Sequence, residues 1–311
     1  ECISCNVGCR DSWGRALPIG CLVNPMVGFE QAWAGEEVGK AAISRRVLIV
    51  GGGPAGLKTA EIAHRRGHEV LLVEEQSEFG GKVLLAASAM PYRAEFGNSI
   101  NHLVRQLEIF NVRTELGKRI RAEDVDQIGP EIVVVATGAL SGLPQIPGID
   151  LPTVVSAEAA IERGVEGPRV VVIDSGEADW RCMTTAERLA FDGHAVILVT
   201  PVAQPGAGID SFSRADLIGR MAAAGVEFLP NTSVLEIGEG RVRTTDHLSG
   251  WESWIEGVDA VVSAWYGIAN DDLFQQLSQS GRYEVHSVGD CLAPRSAISA
   301  IWDGFRIGVS I

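Results

Sequence analysis

The sequence predicts an α/β fold in which two nested Rossmann-like nucleotide-binding units follow a cysteine-rich loop. Three observations carry that prediction. The apolar run Val47–Val50 leads into a glycine turn and then a helical pattern. The same strand–turn–helix–strand plan recurs over residues 169–200. Late in the chain, His286-Ser287-Val288-Gly289-Asp290 reads as a strand closing on a glycine and an acid, with a helical segment from about Ser296 to Phe305 behind it. The expected divisions are 1–44 for the cysteine loop and a linker, 45–150 for the first unit, 151–265 for the second, and 266–311 for a return to the first.

Composition bounds the rest. With 311 residues, 46% of them apolar, the chain can bury a large core and exceeds one ordinary domain. Its 36 glycines sit at turns rather than in a repetitive tract, which excludes fibrous and disordered classes. Forty acids against 26 lysines and arginines give a net charge of −14, with no basic run. Such a chain repels phosphate backbones and anionic lipid, so neither a nucleic acid nor a membrane is expected as a partner. No apolar stretch approaches the ~18 residues of a membrane span and no signal-peptide pattern opens the chain, so the cytoplasm is the expected compartment. The first residue is Glu1 rather than Met, and a preceding N-terminal portion is expected.

Four of the six cysteines, Cys2, Cys5, Cys9 and Cys21, fall within the first 21 residues in the pattern C-x2-C-x3-C-x11-C. Three closely spaced thiolates can wrap one face of an iron–sulfur cluster while a distant fourth closes it. An all-thiolate zinc site needs the same number of ligands, but zinc ribbons present two similar C-x2-C knuckles and this loop has one. A disulfide framework is the remaining reading, of little use to a long chain without a secretory signal. Trp13, Leu17, Pro18 and Ile19 lie between the ligands and are expected to keep water off the site. Cys182 and Cys291 stand alone and read as small buried hydrophobes.

In the first unit Gly51, Gly53 and Gly56 form G-x-G-x-x-G, with Gly52, Pro54 and Ala55 between them, at a strand-to-helix turn. The first glycine permits the tight turn, the second lets backbone approach pyrophosphate, and the third lets helix pack on strand. Leu57, Ala60 and Ala63 share one face of a helix from about Gly56 to Arg66, which Gly67 ends as a left-handed cap. The strand Val70–Val73 ends in Glu74-Glu75, placed to bind an adenosine ribose through its hydroxyls. Glu74 is the better candidate because it directly ends the strand. Its charge disfavours a 2′-phosphate, which argues for FAD or ADP rather than NADP. Phe79-Gly80-Gly81-Lys82 offers a paired-glycine loop for a flavin, and Ile132–Val135 is a further buried strand ending in Ala136-Thr137-Gly138. Gly289-Asp290 could hold a ribityl hydroxyl and a phosphate, with Arg295 within reach of pyrophosphate or simply solvated.

The second unit repeats the plan without its glycines. Between Val170–Ile173 and a helix expected over Met183–Ala190 stands Asp174-Ser175-Gly176-Glu177-Ala178-Asp179-Trp180-Arg181. A nicotinamide nucleotide would meet like charge and Cβ atoms where bare backbone must approach, a conflict of roughly several kcal/mol. The strand Val258–Trp265 closes this unit, with Trp265 and Tyr266 expected mainly in core packing; Trp251 and Trp254 lie in an expected hairpin. No catalytic acid, base or nucleophile stands out.

In this order the motifs resemble the C-terminal half of the trimethylamine dehydrogenase and 2,4-dienoyl-CoA reductase family of iron–sulfur flavoproteins. The resemblance spans essentially the whole chain: the four cysteines, the Gly51–Gly56 turn with Glu74, Gly80-Gly81, Ala136-Thr137-Gly138, and Gly289-Asp290 followed by Ala293-Pro294-Arg295. It implies disulfide-reductase-like nucleotide-binding domains, a 4Fe-4S cluster on Cys2, Cys5, Cys9 and Cys21, and FAD, or only ADP, in the first unit. It also implies an FMN-bearing (β/α)8 barrel ahead of the cysteine loop, on the same polypeptide or a partner subunit. Within an oligomer, that barrel would carry out substrate chemistry, and an electron-transfer flavoprotein or a ferredoxin would remove the electrons. The lost glycines resemble the amine dehydrogenase branch, where oxidative N-demethylation is implied. The C-x3-C spacing is closer to the branch in which NAD(P)H reduces an enoyl thioester or enone. Glycine loss weighs more, since it removes a binding site. The third reading is a non-catalytic electron-transfer scaffold with structural ADP.

Overall fold

The computed structural model describes residues 2–32 and 38–311; Glu1 and residues 33–37, part of the expected linker, lie outside the described residues. The chain divides into two compact units. One comprises Glu1–Ala87, Tyr92–Leu140 and Gly267–Ile311, and the other Ser88–Pro91 and Ser141–Tyr266.

In the first unit five parallel strands stand in the order Glu284–Ser287, Ile132–Val135, Arg46–Val50, Glu69–Val73, Arg113–Glu115. The continuous apolar run at Val47–Val50 sits where it must, in the central strand, with Val47 registered on Val70 to one side and on Ile132 to the other. Its residues alternate between two cores. Val47 and Ile49 face Leu57, Ala60 and Ala63 of the helix Pro54–Arg65, all three buried as expected. Leu48 and Val50 face Val125 and Leu277, from the helices Ala122–Ile128 and Asp272–Ser280 on the other face. Truncating a fully buried leucine such as Leu57 to alanine would cost about 2–5 kcal/mol. Gly67 follows the glycine-turn helix at φ +101°, the left-handed stop that its place after Arg66 predicts.

In the second unit five parallel strands run Val154–Ser156, Ala260–Ala264, Arg169–Asp174, Ala195–Val199, Glu227–Leu229. One face packs Val170, Val172 and Val262 against Met183, Ala186 and Leu189. The opposite face is roofed by an antiparallel sheet, Thr232–Gly238, Arg241–Asp246 and Glu252–Glu256, which contributes Val234, Ile237, Val242 and Ile255. The last two strands form the expected hairpin, where Trp251 is 80% exposed and Trp254 lies under the Arg241 guanidinium at 4.1 Å. The helix expected over Met183–Ala190 spans Trp180–Phe191 because the side chain of Asp179 caps it, accepting from the Cys182 amide at 3.2 Å. Trp265 packs partly into the core, but Tyr266, expected there too, is half exposed. Among the described residues no helix is long and apolar enough to cross a membrane.

Candidate functional site

The three glycines of the first turn meet three different surroundings. Gly51 has φ +108°, and a Cβ there would stand 2.3 Å from the Ala136 carbonyl oxygen. A Cβ on Gly56 would stand 1.9 Å from the Gly51 carbonyl oxygen, so this glycine lets the helix settle on the strand. A Cβ added at Gly53 would meet nothing within 4 Å. Open space beside the backbone, at the N-cap of a helix with Pro54 at its first position, is what an approaching anion requires. Ala55 is buried, and its carbonyl lies under Gly304 of the last helix, Ala297–Ser310.

Of the other expected nucleotide residues, Glu74, Gly80, Gly81, Ala136, Thr137 and Gly289 lie against this turn. The Glu74 carboxylate accepts from the Gly52 amide at 2.5 Å and the Gln76 amide at 2.7 Å, which fixes the end of the second strand against the glycine loop. Glu75 is exposed and ion-paired with Arg119 at 3.7 Å. The Gly80 amide donates to the Gly52 carbonyl at 2.9 Å, and a Cβ on Gly81 would lie 3.6 Å from the Gly53 Cα, so the paired glycines lie alongside the turn. Lys82 opens the helix Lys82–Ser88 and is half-buried. Ala136 is buried against Gly51, and Gly138, at φ +73°, faces open space. Thr137 donates its hydroxyl to the Asn270 carbonyl at 2.6 Å, while the Asn270 amide donates to the Gly138 carbonyl at 3.0 Å. Gly289 comes so close to the helix start that a Cβ would stand 2.8 Å from that of Ala55. Asp290 accepts from the Arg295 amide at 3.1 Å. The Arg295 side chain is exposed and already held by Asp303 and by the Ala293 carbonyl, so reaching a pyrophosphate would break that pairing.

Cys2, Cys5, Cys9 and Cys21 are free thiols; Cys5 and Cys21 are half-buried and the other two exposed. Burial pushes the Cys5 thiol up, and the nearby thiols of Cys21, Cys9 and Cys2 push it further, so the four converge closely enough to feel one another. Ser4, Asn6 and Gly8 adopt φ of 54°, 59° and 84° while the residues between them do not. Left-handed residues at alternate positions are a feature of the backbone loops that hold anions and iron–sulfur centres. The Ser4 amide donates to the Cys2 sulfur at 3.3 Å. The apolar cover differs from expectation. Trp13, Leu17 and Ile19 are 64%, 56% and 47% exposed and Pro18 is exposed too. The short helix Arg10–Gly14 ends early and the chain turns at Ala16, φ 54°, leaving this segment as a surface connection. Ile3, Leu22 and Ile301, with Val7, Phe96 and Ile298, pack beside Cys5 instead.

The second turn is closed by its own side chain. Asp174, at the position of the first glycine, is 3% exposed; its carboxylate accepts the Ala178 amide at 3.1 Å and the Thr200 hydroxyl at 2.6 Å. Burial raises it above the ordinary carboxylate range despite these donors, and Asp179 adds to the rise. Glu177 is raised as well, by burial and then by Asp179. Ala178 is held at φ 45°, a conformation costly for a residue with a Cβ. Arg181 donates to the Trp265 carbonyl, pinning the neighbouring strand end. A cavity of about 160 Å³ lined by Ile173, Asp174, Val199, Thr232, Val234 and Trp265 lies beside the turn. Cys182, fully buried beside Asp174, is held well above the usual thiol range by desolvation, and Cys291 is buried too.

Comparison with known proteins places the site in context. The family described as pyridine nucleotide-disulphide oxidoreductase matches residues 45–304. The NADH oxidase of Thermoanaerobacter brockii is 28% identical over 322 residues, covering 100% of this chain and 48% of that protein. The structure of 6-hydroxypseudooxynicotine amine oxidase from Pseudomonas geniculata N1 superposes with a TM-score of 0.93 at 30% identity, over 100% of this chain and 48% of that one. Histamine dehydrogenase from Rhizobium sp. 4-9 gives 0.92 at 28% identity, with the same coverage of 100% and 48%. The chain thus spans about half the length of these three relatives, and the resemblance read from its motifs is borne out.

Proposed function

Because the chain belongs to the pyridine nucleotide-disulphide oxidoreductase family, we propose that it is the electron-transfer portion of an iron–sulfur flavoprotein that oxidises an amine. The reaction we assign is oxidative N-demethylation at an FMN-bearing barrel, with an electron-transfer flavoprotein or ferredoxin as the final acceptor. The observation that carries this reading is the second turn. The Asp174 carboxylate accepts from the Ala178 amide of the turn and from the Thr200 hydroxyl, so the pyrophosphate of a nicotinamide dinucleotide would have to displace a built-in anion. The Gly51–Gly56 turn, by contrast, is open at Gly53 and fits FAD or ADP, with Glu74 toward the ribose and Gly81 and Gly138 leaving room along the backbone. Two structural relatives are an amine oxidase and a histamine dehydrogenase, which agrees with an amine as substrate.

Cys2, Cys5, Cys9 and Cys21 are the residues that would hold a 4Fe-4S cluster, and when bound it would supply one-electron relay. The four-thiol donor set, with left-handed backbone at Ser4, Asn6 and Gly8 between the ligands, fits such a group.

Anaerobic addition of NADH or NADPH to the purified holoprotein is expected to leave the flavin oxidised, while an amine substrate bleaches it. Rapid bleaching by a nicotinamide nucleotide would overturn the proposal. That result would instead support the reverse flow toward an enoyl acceptor, which the C-x3-C spacing and the similarity to an NADH oxidase favour. Denaturation and identification of the released nucleotide separates FAD from ADP.

A further inference from the structure

The last helix, Ala297–Ser310, joins the cysteine loop to the nucleotide turn. On one side Gly304 lies against the Ala55 carbonyl and Ala300 against Gly289. On another, the Ile298 Cδ1 methyl stands 2.4 Å from the position a Cβ on Gly8 would take, and 4.0 Å from that of a Cβ on Gly20. Gly8 lies between Cys5 and Cys9, Gly20 directly precedes Cys21, and the Gly20 amide donates to the Gly8 carbonyl at 2.7 Å. A single methyl group therefore covers both arms of the loop at their junction. Ile301, 1% exposed, continues this cover onto Ile3 and Leu22, in the same packed cluster as Cys5. Gly8 at φ +84° has no side chain of its own to fill this space.

We propose that Ile298, backed by Ile301, is the positioning residue that excludes water from the cysteine-loop centre and holds its reduction potential down. This rests on reading the loop as an iron–sulfur site. The reduced centre carries one more negative charge than the oxidised one, so water admitted beside it stabilises the reduced form and raises the potential; apolar cover does the reverse.

The test compares the holoprotein with Ile298→Thr, Ile298→Val and Trp13→Ser. Iron and sulfide per chain, the midpoint potential from an EPR-monitored redox titration, and the rate of iron loss to an added chelator are measured. Ile298→Thr is expected to raise the potential and to lose iron about tenfold faster, the lower end of outer-shell effects on metal sites. Ile298→Val removes only the Cδ1 methyl over Gly8 and is expected to shift both readouts the same way by less, which keeps the proposal testable should the threonine variant fail to fold. Trp13→Ser, at an exposed position, is expected to match the unsubstituted protein. A merely structural isoleucine would lower the melting temperature and leave the potential in place, and that result overturns the proposal while leaving the iron–sulfur reading intact. Unsubstituted protein carrying zinc, or no iron, overturns both.

Discussion

Gly53 and Gly56 lie three residues apart in one motif, yet substitution by alanine is expected to damage different properties. Gly53 adopts φ −73° and ψ −177°, extended backbone open to any residue, with nothing within 4 Å of an added Cβ. Restricting the unfolded chain favours Gly53→Ala by about 0.4–1 kcal/mol, and the poorer helix cap costs roughly the same back. The fold should therefore keep its stability within about 0.5 kcal/mol. The new methyl, however, stands where phosphate oxygens would meet backbone amides. Losing one such charged hydrogen bond, worth about 1.5–3 kcal/mol, weakens nucleotide binding roughly 10–100-fold. At Gly56 the new Cβ would lie 1.9 Å from the Gly51 carbonyl oxygen and 3.3 Å from the Ala136 Cβ, in contact with backbone that cannot swing away. Overpacking of about 3 kcal/mol, less the ~1 kcal/mol that alanine returns to a helix interior, leaves a loss of about 2 kcal/mol. That is about 4–8 °C in melting temperature for a domain of this size. Thermal melts of nucleotide-free protein, paired with the nucleotide retained per chain, separate the two effects. Full nucleotide occupancy in Gly53→Ala, or an unchanged melt in Gly56→Ala, would refute the assignment of one glycine to the ligand and the other to packing.

Asp174 supplies a pH signature. Its folded-state pKa is raised by burial, so its stabilising contribution is complete below the unfolded value of about 3.9 and is lost as pH rises through the folded value. Asp174→Asn cannot ionise, so urea melts from about pH 4 to about pH 8 should show its stability gaining on the unsubstituted protein as pH rises; a constant difference contradicts the burial argument. Arg295→Ala removes an exposed side chain already paired with Asp303, so stability should move by less than about 0.5 kcal/mol and nucleotide affinity by less than about threefold. A tenfold weaker complex would mean that the guanidinium leaves Asp303 for the pyrophosphate.

Much of the fold was legible because its signals are local. A buried parallel strand needs an unbroken apolar run, and Val47–Val50, Ile132–Val135 and Val170–Ile173 all lie within parallel strands. Glycine turns are equally local, since a positive φ or a contact too close for a Cβ demands one residue type. The cover of the cysteine loop was not legible. Trp13, Leu17, Pro18 and Ile19 are adjacent to the ligands in sequence, but the residues that pack there include Phe96, Ile298 and Ile301, brought in by long-range folding. The role of Asn270, whose carbonyl and amide tie down Thr137 and Gly138, was hidden for the same reason. A partial signal existed in Gly304 and Gly308, one turn apart in an apolar helix. Their missing side chains let it rest on the Ala55 carbonyl and on Ile62, the close packing that such spacing permits.

The two turns explain why one scaffold can carry an open site and a closed one. In both, a parallel strand is buried on two faces and a helix packs back onto it, so stability comes from apolar contacts that do not involve the ligand. What differs is where the carboxylate comes from. The first turn has glycines at 51 and 53, and its Gly52 amide is held by Glu74 from the end of the next strand; in the second, Asp174 itself brings a carboxylate into the turn, and the helix begins only at Trp180, beyond a longer connection that runs over residues 175–179. The strained Ala178 and the buried charge of Asp174 are both unfavourable locally, but each is over-determined by its neighbours: Thr200 and the Ala178 amide hold the carboxylate, and the Gly208 amide holds the Ala178 carbonyl at 3.2 Å. Reopening the turn would therefore require more than Asp174→Gly. That single change leaves Glu177, Asp179 and the 175–179 connection in place, and nicotinamide nucleotide binding should stay undetectable in calorimetric titration until the connection itself is replaced.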